Sequence, residues 1–125
     1  MNTLALCKSW QKKLRLQEWD VIFHILDDEE MNGEESNHGF AETTTNGFVM
    51  PYYYKRVADI YIRKSGPHIE ETIIHELTHL HVAEVNEFMI ELIKHIGSKD
   101  LQAQFQGQRN LFIERVVYTT ARIFE

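Results

Sequence analysis

The sequence predicts an α+β fold, with a small mixed or antiparallel sheet covered on one face by a central helix, and three observations carry that expectation. Apolar residues recur at helical spacing near both ends of the chain. Segments rich in β-branched and aromatic residues lie between them. The stretch Ser65-Gly66-Pro67 then punctuates the chain and opens a long amphipathic run.

Leu4, Leu6, Trp10, Leu14 and Leu16 are spaced among Lys, Gln and Arg, which predicts a packing helix from Thr3 to Leu16. Trp19 to Leu26 reads as a strand buried on at least one face. The acidic run Asp27 to Glu35, with Asn32-Gly33 inside it, reads as a solvated turn or loop. Asn46-Gly47 lies between the strand-like Gly39 to Thr45 and a longer run ending in Val57 to Arg63. Both residues tolerate positive φ, so a hairpin is expected there, within a sheet of three or four strands. Pro51 has no N–H to give to a ladder, so its segment should be an edge, a bulge or a break between strands.

Pro67 at a first helical position, with Glu70 and Glu71 in the first turns, starts a helix that runs to Ala83. A second helix is expected from Asn86 to Ile96, stopped by Gly97. A third spans Leu101 to Phe124, with Gly107 as the place where it would break.

Composition narrows the class. With 125 residues, the chain fits one domain, 1–125. Its apolar fraction of 43% and charged fraction of 26% are those of a soluble globular protein; disorder needs a more polar chain. Thirteen basic against nineteen acidic residues give a net charge of −6, which argues against a nucleic-acid partner. Cys7 is the lone cysteine, so no internal disulfide can form; it reads as helix packing, and a reducing compartment suits it. Met1 to Leu16 lacks the pattern of a secretory leader and no run reaches membrane-spanning length, so a cytoplasmic protein without a membrane partner is expected.

His75-Glu76-Leu77-Thr78-His79 falls inside the expected Pro67 to Ala83 helix. Residues four apart share a helix face, so both imidazoles can reach one ion. Two imidazoles and one further ligand suit Zn2+ and leave a position for water. Glu76 follows the first histidine, where a carboxylate can take the proton of that water as it attacks a peptide carbonyl. Ile73, Ile74, Leu77 and Leu80 are left to pack on the sheet.

The pentapeptide supplies only two ligands. Leu111, Glu114, Tyr118 and Ala121 fall on one stripe of the last helix, which would turn a single carboxylate inward, and zinc is a natural partner for a buried carboxylate. Glu114 is therefore the expected third ligand, with a surface glutamate beside Arg115 as the alternative. His95 is its main rival, followed by Glu84 and Glu87. Val82 and Val85 stand where the metzincin extension needs Gly and His, which excludes that class. His81, two positions past His79, points off the ligand face. His24 reads as a sheet histidine, and His38 and His68 as solvent-facing. Tyr52, Tyr53 and Tyr54 read as strand packing, with a substrate wall as the alternative. Tyr118 or Arg122 could donate a hydrogen bond to a tetrahedral oxyanion.

With HELTH on a helix and a glutamate downstream, the chain resembles the compact zincin-like metallopeptidases of phages and prophages, loosely related to the ImmA/IrrE-type minimal zincins. The likeness spans most of the chain: Trp10 and Leu14 in the opening helix, Ala58-Asp59-Ile60-Tyr61-Ile62, HELTH, and the Glu114 helix with Val117, Ala121 and Arg122. It implies a gluzincin-like site of His75, His79 and Glu114, and a peptide or protein substrate extended along the edge strand before the active-site helix. Ala58 to Arg63 is the expected strand, with Ala58, Ile60 and Ile62 as its substrate-binding positions. The chain is also similar to the SprT-like group, which takes its third ligand from a downstream histidine near a glycine, as in His95-Ile96-Gly97, but it has no zinc-ribbon cysteines and no basic surplus. Two further classes remain: a zinc-containing peptide-binding module without turnover, and a regulator that sequesters a partner at its strand edge.

Overall fold

The computed structural model describes residues 2–38 and 45–124. In chain order its elements are α1 (Thr3–Lys13), β1 (Asp20–Leu26), α2 (Asp28–Asn37), β2 (Gly47–Tyr52), a 3-10 turn (Tyr53–Lys55), β3 (Val57–Arg63), α3 (Ile69–His81), α4 (Ala83–Lys94) and α5 (Lys99–Arg122). The fold is α+β, with a three-stranded mixed sheet of order β1-β3-β2. β1 runs parallel to β3, from Asp20 opposite Val57 to Leu26 opposite Arg63. β2 is antiparallel to β3, from Gly47 opposite Ile62 to Tyr52 opposite Val57. No described helix is long and apolar enough to cross a membrane.

Alternation along β3 sends its side chains to two different cores. Ala58, Ile60 and Ile62 are fully buried with Trp10 and Leu14 around α1 and with Ile73, Ile74 and Leu77 of α3. Burying each large aliphatic side chain contributes about 1.5–3 kcal/mol, so this layer holds α3 on the sheet. Tyr61 faces the other way and packs with Met31 of α2 and Phe48 of β2.

The run 27–35 is helix, not loop. Asp27 caps α2 by accepting a hydrogen bond from the Glu30 N–H at 2.8 Å, and Asp28, Glu29 and Glu30 complement the helix dipole in the first turn. Glu35 is buried: its carboxylate takes the Arg63 guanidinium and, at 2.6 Å, the Thr45 N–H. Arg63 Nε in turn donates to the Thr45 carbonyl at 2.9 Å. Glu35 and Arg63 therefore fix the start of β2.

The hairpin turn is not at Asn46-Gly47. Asn46 already belongs to the ladder, its carbonyl accepting the Arg63 N–H at 2.8 Å, and the chain reverses instead through Tyr53–Lys55 and the left-handed Arg56 (φ 53°). The strand expected from 39 falls largely outside the described residues. Gly47 serves close packing instead: a Cβ there would stand 2.8 Å from Thr72 Cγ2 and 3.0 Å from the Tyr61 carbonyl. Pro51 does lie on an edge strand.

α3 starts at Ile69, two residues after Pro67, with His68 in a left-handed conformation (φ 54°) before it. Val82 both ends α3 and begins α4, so the second helix follows at a tight corner and starts earlier than Asn86. α5 begins at Lys99, capped by Ser98, and runs unbroken through Gly107.

Candidate metal centre

His75 and His79 stand one turn apart on α3, with ring centroids 5.2 Å from each other. The Glu114 carboxylate of α5 reaches both, Oε1 lying 3.1 Å from His79 Nε2 and Oε2 3.5 Å from His75 Nε2. Among the described residues these three form the one group of ligand atoms that could share an ion, all within 4.8 Å of one another. Donors around a tetrahedral zinc at about 2.0–2.1 Å lie roughly 3.3 Å apart. The observed spacings are close to that, and two imidazoles with a carboxylate form a donor set that zinc accepts. Burial, partly opposed by the Glu114 charge, holds the His79 pKa below its ordinary value, which favours the neutral imidazole that a metal needs.

Glu114 arrives by a different phase than the sequence suggests. The buried stripe of α5 is Ile113, Val117 and Ala121, while Leu111 and Tyr118 are exposed. Glu114 borders that stripe, and its side chain is 59% exposed. Packing of Ile113 and Val117 sets the rotation of α5 that points Glu114 at α3.

Glu76 is buried on the sheet side of α3, against Gly47 of β2. Desolvation, and secondarily the Glu114 charge, push its carboxyl up to about 8. Two recesses meet at this residue. The larger, about 400 Å³, is lined by Thr45, Gly47, Val49 and Pro51 on one side and by His75, His79, Asn86 and Glu114 on the other. The second, about 310 Å³, shares Gly47, His75 and Glu76 and extends to Thr72 and Tyr118. Tyr118 thus flanks the site, with Arg122 5.6 Å from its ring centre.

The expected substrate strand is corrected. β3 is the central strand, hydrogen-bonded on both sides, and Ala58, Ile60 and Ile62 are fully buried, so none of the three can meet a peptide. The edge beside the cleft is β2. The Asn46-to-Arg63 bond fixes the phase of the ladder. By its alternation Phe48, Met50 and Tyr52 bond inward to β3, while Gly47, Val49 and Pro51 turn their backbone groups outward. No described strand pairs with that side. Pro51 in the sequence signalled the edge, since its missing N–H is costless there.

The rival ligands lie elsewhere. His95 is exposed at the end of α4, Glu84 pairs with Arg56 at 2.6 Å, and Glu87 lines a separate recess with Tyr52 and Tyr54. His81 is exposed. His24 stacks on Tyr61 with ring centres 4.4 Å apart and meets Asp59 Oδ1 at 2.9 Å, as a sheet histidine. His38 packs near Phe48 and Tyr61 instead of facing solvent alone, and His68 is exposed. Tyr52 and Tyr54 are exposed, not packed in the sheet. Asn86 was not singled out by the sequence; its Oδ1 accepts from Arg109, which orients its amide at the cleft wall. No protein family, curated protein or solved structure matches the chain.

Proposed function

We propose that this protein is a zinc-dependent peptidase that cleaves an extended peptide lying along β2. The convergence of His75, His79 and Glu114 beside a strand edge that no described strand pairs with, with the buried carboxyl of Glu76 between them, is the observation that carries this reading. His75, His79 and Glu114 would hold the ion. When bound, zinc supplies Lewis acidity toward a carbonyl oxygen and acidifies a water.

The chain's own groups account for the rest. Gly47 and Val49 offer backbone N–H and carbonyl groups to a substrate strand, and Pro51 offers a carbonyl only. Glu76, its carboxyl ionised once a cation occupies the neighbouring site, accepts the proton of the attacking water and returns it to the leaving amine. Tyr118 lines the second recess, and its hydroxyl is the donor assigned to the developing oxyanion. The HELTH pentapeptide, and with it the resemblance to compact phage-type zincins, fits the same reading, and the buried lone Cys7 fits a cytoplasmic setting.

The test is digestion of a pool of unstructured peptides by zinc-loaded wild type and by Glu76→Gln, with products read by mass spectrometry. Wild type should cut, and the variant should keep its zinc yet lose roughly 10²–10⁴-fold in rate. Undiminished cutting by Glu76→Gln would remove Glu76 from its role. Peptide binding by zinc-loaded wild type without any cutting favours the non-turnover module.

A further inference from the structure

α4 and α5 form an antiparallel hairpin: Asn86 bonds Arg109 at one end, and at the other the Ile96 carbonyl accepts from Gln102 at 2.7 Å. Its outer face is apolar. Val85, Phe88 and Leu92 follow one another at helical spacing on α4, and Leu101, Phe105 and Phe112 do so on α5; each is about half exposed. Leu92, Phe105 and Phe112 line one groove of about 440 Å³ together with Met89, Ile93 and Ile96, and Gln108 and Arg109 complete its wall. So many large side chains left in water call for a cover.

We propose that this face is covered by a second copy of the same chain, the two hairpins packing about a two-fold axis into a four-helix bundle. Size supports this occupant. At roughly 200 Å² for a large side chain, six half-exposed residues present about 600 Å² per chain, or about 1,200 Å² for two, the lower bound of a stable interface.

Charge supports it as well. α4 carries Glu84, Glu87 and Glu91 against Lys94, a net of −2, whereas α5 carries Lys99, Arg109, Arg115 and Arg122 against Asp100 and Glu114, a net of +2. A two-fold axis parallel to the helices lays each α4 on the partner copy's α5, so the net-acidic helix runs beside the net-basic one at both contacts.

The dimer leaves the metal centre open. Glu114 follows Phe112 by two residues, about 200° round the helix, and so points away from the paired face. This inference stands apart from the peptidase reading, because it concerns the opposite side of α5 and is tested without zinc or substrate.

Sedimentation velocity over a range of protein concentrations gives the test, on wild type, Leu92→Glu, Phe105→Glu and the rim variant Phe88→Ser, with circular dichroism to confirm folding. Wild type should sediment at twice the chain mass, and each folded variant should shift to the monomer. Wild type that remains monomeric at every concentration overturns the inference, as does a dimer that survives all three substitutions.

Discussion

Gly47 of β2 and Glu76 of α3 approach so closely that a Cβ on Gly47 would stand 3.3 Å from Glu76 Cγ. The edge strand and the glutamate of the HExxH pentapeptide are therefore in close contact across the face between sheet and helix. Gly47→Val should push β2 off α3, costing about 1–3 kcal/mol as overpacking does. Urea denaturation measures it, and a variant as stable as wild type would mean that Gly47 is not needed for the approach.

Arg63 and Glu35 form a buried ion pair that ties α2 to the end of β3, and both also bond Thr45 just before β2. Arg63→Met leaves the Glu35 carboxylate buried without its cation, which should cost about 3–5 kcal/mol. Adding Glu35→Leu should recover part of that loss. A double-mutant cycle in denaturant checks the pair, and additive single losses would show that the two residues act independently.

These two pairs mark where the sequence is legible and where it is not. The four-residue spacing of His75 and His79 on an amphipathic run can be read directly, because helix geometry alone brings them together. The α2 helix was readable too, since Asp27 and Glu30 have capping spacing, but its acidity reads as solvation until Arg63, far along the chain, is seen to bury Glu35. Glu114 is reached by helix phase only in outline: it borders the buried stripe instead of lying within it. Strand order is set by long-range pairing, so nothing local revealed that β3 is central and β2 the edge.

Cys7 is fully buried, and burial pushes its thiol up to about 12. At neutral pH it should stay unmodified by a thiol-reactive reagent in the native protein and react fully on denaturation. Rapid native labelling would contradict the packing of α1 against α3.

Metal-free protein should lose stability as pH rises. The folded state holds the Glu76 proton up to about 8, while the unfolded chain releases it near the ordinary 4.5. Between those values the folded state binds more protons, so its advantage is full at low pH and falls as pH climbs through that window. Melting temperatures of chelator-treated wild type should decline across it, and Glu76→Gln should decline less. Equal slopes would remove Glu76 as the cause.

Metal content tests the central claim most directly: zinc per chain in purified wild type, His79→Ala, Glu114→Ala and His95→Ala, after identical reconstitution and desalting. The His75, His79 and Glu114 centre predicts one zinc in wild type and in His95→Ala, and loss of most of it in His79→Ala and Glu114→Ala. Retention of zinc by Glu114→Ala with loss in His95→Ala, or wild type that takes up none, would contradict it.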